Sequence, residues 1–252
     1  MMPEDPRRIV VFTSRFPFGQ HEFLDEEVHE LQRACSNLTL VPISLPNGPH
    51  PAMTARHEKS IDLSLAKALK ISSSKIDRFN RQFNRVTIGL TSMTSKDFRR
   101  EAFRPETMTK ARFQCLLIQQ HLYRQTLNWA SQREPPTLAY TFWFGSVIRG
   151  LRQAWPDTTI VSRAHGSDID GRRRGSWDLP FACTNLAAAD QVFSVSRWGQ
   201  TLLQELCPDH GSRVNYAPLG SRDAGSICPP SRDGRIRVLS VSRVDQNKRV
   251  HE

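Results

Sequence analysis

No apolar run in this chain is long enough to cross a bilayer as a helix, for which about 18 residues or more are needed. A membrane-spanning protein is therefore not expected. No secretory leader is expected either. The opening MMPEDPRRIVVF mixes charges, and its apolar part has the length of a strand. These absences point to a cytoplasmic location. Cysteine is scarce and scattered, at Cys35, Cys115, Cys183, Cys207 and Cys228. No CxxC pair and no Cys/His cluster occurs, so neither a disulfide framework nor a zinc site is expected. The thiols read as small apolar residues in a reducing compartment. No GxxxxGK[ST] exists, which excludes a P-loop NTPase. No GxGxxG follows the first strand, which argues against a dinucleotide oxidoreductase, and no GxSxG nucleophile elbow is present. Internal repeats and low-complexity tracts are also lacking.

What the chain does have is positive charge and an alternating pattern. Its net charge is +10 over 252 residues, a length long for one domain and short for two. Much of the excess lies between Lys75 and Arg112 and in Arg172, Arg173 and Arg174. Nucleic acid, an anionic membrane surface or a phosphorylated substrate would each answer to it. No zinc finger, RNA-recognition signature or basic zipper supports nucleic acid. A solvated basic surface is the plain alternative for any one cluster.

Strands and helices alternate along most of the length. Short buried strands are expected at Arg8–Ser14, Leu38–Ile43, Thr137–Phe142, Thr158–Arg163, Gln191–Val195 and Val214–Ala217. Pro42 marks the second as an edge or an end. Helices are expected at Glu22–Ala34, with Leu24, Val28, Leu31 and Cys35 on one stripe, and at Thr107–Ala130. Two stripes are read on the latter, one through Phe113, Leu117, His121 and Arg124, the other through Leu116, Tyr123 and Leu127. Further helices are expected at Ser146–Ala154, Leu179–Ala189 and Ser196–Leu206, the last capped by Ser196. The basic segment Pro46–Pro105 is less regular. This order predicts an α/β fold with a doubly wound, mostly parallel, Rossmann-like sheet. Pro218–Gly234 reads as a linker, and a fresh strand, Ile236–Val241, follows it.

In such sheets ligands bind beyond the carboxyl ends of the strands. Four loops meet that rule: Phe16–Gly19, Trp143–Gly145, His165–Asp168 and Arg243–Lys248. A His and an Asp three residues apart, with Gly between them, can hold a substrate hydroxyl and share its proton. Alternatively His165 caps a helix or bonds a backbone carbonyl, and the residues alone leave both readings open. Arg243 and Lys248 flank a turn at a strand end and could neutralise a diphosphate, or be two solvated charges. The triplet Asp168-Ile169-Asp170 matches a DxD metal pattern, but three-residue matches are common by chance.

Five pieces, in order, resemble a known arrangement: FPFGQHEFLDEEVHEL at Phe16–Leu31, VSRAHGSDID at Val161–Asp170, ADQVFSVSRWGQTLL at Ala189–Leu203, VNYAPLG at Val214–Gly220 and VLSVSRVDQNKRV at Val238–Val250. The chain resembles the N-terminal domain and interdomain crossing of a family 4 retaining glycosyltransferase of the GT-B fold. The resemblance implies an acceptor-side domain over residues 1–217, a linker at 218–234, and the first strand and turn of a donor-binding domain at 235–252. It implies transfer of a sugar from a nucleotide sugar to a polysaccharide or lipid-linked acceptor, without a cofactor or a metal. His165 would lie near the transferred sugar, and Asp168 would support its loop or contact the acceptor. Gly19 would let the first loop approach substrate closely. Arg243 and Lys248 would bind the donor diphosphate. The family pattern continues well beyond Glu252, so a truncated chain, inactive without a missing C-terminal half, is the expectation. The basic Lys75–Arg112 stretch would contact an anionic membrane leaflet. A non-catalytic half that binds an acceptor or a partner chain is the second reading. A nucleic-acid binder, motivated by charge alone, is the third.

Overall fold

The computed structural model describes residues 7–18, 22–45, 60–69, 96–102, 110–169 and 180–220. The chain divides into two units, Met1–Ser221 and Arg222–Glu252, and the second lies outside the described residues.

The elements in chain order are β1 (Arg8–Thr13), α1 (Glu22–Ala34), β2 (Asn37–Pro42), α2 (Lys96–Ala102), α3 (Lys110–Ala130), β3 (Leu138–Thr141), α4 (Val147–Ala154), β4 (Thr159–Ala164), α5 (Gly166–Ile169), α6 (Ala182–Ala188), β5 (Gln191–Ser194), α7 (Arg197–Leu206), a 3₁₀ turn at Pro208–Arg213, and β6 (Val214–Tyr216). All strand pairs are parallel, in the order β2-β1-β3-β4-β5-β6. The fold is the Rossmann-like, doubly wound sheet that the alternation predicts. Pro42 closes the edge strand β2, where its missing N–H costs no ladder bond.

Alternation along β1 divides two apolar layers. Val10 and Phe12 join Val41, Ile148, Leu151, Ile160, Leu186, Val192 and Leu203 beneath α4, α6 and α7. Ile9 and Val11 join Leu24, Val28, Leu38, Leu40 and Phe142 beneath α1. Helices thus cover opposite faces on the two sides of β1, as right-handed crossovers require when the chain winds outward in both directions. Leu24, Val28 and Cys35 of the predicted α1 stripe are buried. Ser196 caps α7 as expected, accepting from the Gly199 backbone N–H at 3.1 Å.

Three expectations are corrected. On α3, Phe113 is exposed while polar Gln119 and Thr126 are buried. Thr126 packs on Gly150 of α4, where a Cβ would lie 2.8 Å from the Tyr123 carbonyl oxygen and 2.9 Å from Thr126 Cβ, and Gln119 Oε1 accepts the Ser146 backbone N–H at 2.9 Å. The helices meet almost backbone to backbone, so this contact needs small groups rather than an apolar stripe. Second, Arg112 is no part of a basic surface. It is 1% exposed and donates to the Glu101 carboxylate at 2.9 Å. Third, Cys183 and Cys207 form a disulfide, with Cα atoms 5.1 Å apart. No motif announces a pair separated by 24 residues; the packing of α6 beside α7 brings the first turn of one to the C-cap of the other. Cys35 and Cys115 are free thiols.

Opening that 24-residue separation in the unfolded chain should lower stability by about 3 kcal/mol. Urea titrations with and without dithiothreitol measure this, with the Cys183→Ser/Cys207→Ser variant as the insensitive control. Equal midpoints for the oxidised and reduced chain would contradict it.

Candidate functional site

The strand order changes direction at β1. Its sequence successor β2 lies on one side and β3 on the other, so β1 and β3 flank the switch point where open sheets of this kind bind ligands. In register, Phe12 of β1 faces Thr141 of β3, and Thr141 faces Ser162 of β4. The loops after β1, β3 and β4 therefore emerge side by side. They carry residues 14–18, Trp143–Gly145 and His165–Ile169.

Each loop is pinned from below. Thr13 Oγ1 donates to the Phe16 carbonyl at 2.8 Å, and Phe18 N–H donates to the Arg15 carbonyl at 2.7 Å. Residues 166–169, read from sequence as a loop, form the single turn α5. One carboxylate joins it to the β3 loop. Asp168 Oδ2 accepts the backbone N–H of His165 at 3.0 Å and that of Phe144 at 3.2 Å. With 4% of its surface exposed, Asp168 braces two loops from within. From behind, Gly199 of α7 comes so near that a Cβ would lie 2.6 Å from Ile169 Cδ1 and 2.5 Å from Ser194 Oγ. A larger residue there would force the Ser194 hydroxyl and the end of the Ile169 side chain on α5 to shift.

His165 is buried at 7% exposure, its Nε2 lying 3.0 Å from the Phe142 carbonyl. An acceptor at that distance calls for the Nε2–H tautomer, which makes Nδ1 the acceptor nitrogen of the neutral ring. The ring stands between aromatics: Phe142 at 4.7 Å and Trp143 at 4.5 Å between centroids. His165 and Asp168 thus share one braced turn. Gly19, Arg243 and Lys248 lie outside the described residues. Among the described residues, no three His, Cys, Asp or Glu side chains gather as a metal-ligand set.

Below this rim, on the α1 face, lies a second polar assembly. Tyr140 Oη donates to Glu27 Oε1 at 2.6 Å. Arg163 donates to Tyr140 Oη at 2.9 Å, to Glu27 Oε1 at 2.6 Å and to the Ala217 carbonyl at 3.1 Å. Burial, and then the Glu27 charge, push the Tyr140 phenol far above its ordinary range, so it stays a donor. Burial works against the Arg163 charge, but Tyr140 and Glu27 outweigh it and hold its pKa above the ordinary value. The network joins α1, β3, β4 and the segment leaving β6.

Sequence reasoning missed this network and gave Trp143 no individual role. For Glu27 and Arg163, 136 residues apart, no local pattern could have found the pair. For Trp143 a signal did exist: an indole directly past a buried strand, at a loop already placed on the binding edge. Neither a protein-family model nor a curated protein sequence matches this chain.

Proposed function

We propose that this chain forms the acceptor side of a retaining, nucleotide-sugar-dependent glycosyltransferase, which transfers a sugar to a polysaccharide or lipid-linked acceptor. The observation that carries the reading is the rim itself. Loops from β1, β3 and β4 stand side by side at the switch point, and the His-Gly-Ser-Asp turn is braced there by Asp168. Such an edge suits binding of a polar substrate by a pre-organised site. In this reading Asp168 holds the geometry, and His165 lies beside the reacting sugar. Arg243 and Lys248 would neutralise the donor diphosphate, so that no metal is needed. The setting would be cytoplasmic, with peripheral contact to an anionic leaflet. In a reducing compartment the Cys183–Cys207 bond would be open to reduction. Among the described residues no helix is long and apolar enough to cross a membrane.

The test is an assay of the chain with and without a supplied donor-binding half, against a panel of nucleotide sugars. Nucleoside diphosphate release that depends on the chain is expected, and His165→Ala should abolish it. Release from no nucleotide sugar under either condition would overturn the proposal. The braced rim equally suits a non-catalytic, acceptor-binding half. That reading predicts saccharide binding by the chain and no diphosphate release.

A further inference from the structure

We infer that Trp143 is the stacking platform for a pyranose ring of the acceptor, a subsite that selects saccharides presenting an apolar C–H face. The inference rests on the saccharide-binding reading of this rim.

Position comes first. Trp143 is the second residue past β3, at the switch point, between the loops that follow β1 and β4. Exposure comes next. Its neighbours Phe142 and Phe144 are 0% and 3% exposed, whereas the Trp143 ring is only partly buried against the layer beneath α1. A partly buried indole between two buried phenylalanines keeps some of its apolar area in water.

Rigidity is the third observation. The ring is tilted on His165 at 4.5 Å and meets Phe142 edge to face at 5.5 Å. The backbone after it is fixed by the Phe144–Asp168 bond. A platform held in place from three directions gives up little freedom when a ligand lands on it. A pyranose offers C–H bonds on one face and hydroxyls around its edge. The aromatic face takes the first, and the exposed Arg15 and partly exposed Ser14, on the neighbouring loop, supply polar groups for the second.

Saturation-transfer NMR on the full chain tests this, with methyl β-D-glucopyranoside and methyl β-D-galactopyranoside as probes. Transfer should concentrate on the ring C–H protons. Affinity should fall about tenfold in Trp143→Leu, which keeps apolar bulk without a π face, and be largely kept in Trp143→Phe. Amide spectra of both variants establish that they fold. Binding that is unchanged in Trp143→Leu would overturn the inference while leaving the saccharide reading intact. No transfer to either probe from the native chain would also overturn it, and the diphosphate-release assay then judges the wider reading separately. If Trp143→Leu instead weakens binding to phosphatidylglycerol vesicles and leaves saccharide transfer unchanged, the ring is a membrane contact and the inference falls.

Discussion

Arg163→Ala should destabilise the domain by about 4 kcal/mol, a fall of roughly 10 °C in melting temperature. Arg163 and Glu27 are 13% and 22% exposed at the side chain, so removing the guanidinium strands a largely buried carboxylate. Tyr140 would remain to donate to it. The Ala217 carbonyl would lose its side-chain donor as well. The loss shrinks once both charges go. Glu27→Gln with Arg163→Met keeps an acceptor for Tyr140 and puts apolar bulk in place of the cation, so the double variant should lose less than half of what Arg163→Ala loses. Denaturant midpoints for the single and double variants measure this. A double variant that adds the losses of two independent sites would show that the charges are not coupled, and the network would then be a surface arrangement of little consequence.

Asp168→Ala should cost about 3 kcal/mol, because two backbone N–H groups, those of Phe144 and His165, lose their acceptor in a buried place. Asp168→Asn keeps a carbonyl oxygen at the same position and gives up only the charge, so about 1 kcal/mol is expected. Stability alone would not separate a brace from ordinary packing. Amide exchange does. In Asp168→Ala the Phe144 and His165 amides should exchange far faster than those of β1 and β4, since only the two loops are released. The Trp143 ring should loosen with them, which near-ultraviolet dichroism reads. Uniform acceleration across the sheet would show that Asp168 supports the domain as a whole rather than the rim.

The two predictions mark where local sequence stops informing. Helix α1 was legible to the residue, because Leu24, Val28 and Cys35 repeat on one face and nothing distant overrides them. The strands were legible because each is a short apolar run between polar turns, and alternation with helices admits few topologies. The Ser196 cap was legible because its chemistry is local. By contrast, the buried face of α3 was read only in part: Leu116 and Leu117 are buried, but Phe113 is exposed and the buried Thr126 was missed. Its partner is Gly150, a residue whose meaning is an absent side chain and which touches α3 only after folding.

The site divides in the same way. Sequence by itself determined that a His and an Asp occupy the turn after β4, that an indole follows β3, and that both lie on the binding edge of a doubly wound sheet. Those facts depend on order along the chain. Only the tertiary structure decided what the groups do there. It turned the Asp168 carboxylate inward onto two backbone amides, laid His165 against Trp143, joined Glu27 to Arg163 across the sheet and closed Cys183 onto Cys207. Each depends on a partner from another strand or helix. Hydrogen bonds and ring contacts act over a few ångströms, and a chain brings distant residues within that range only when its layers pack.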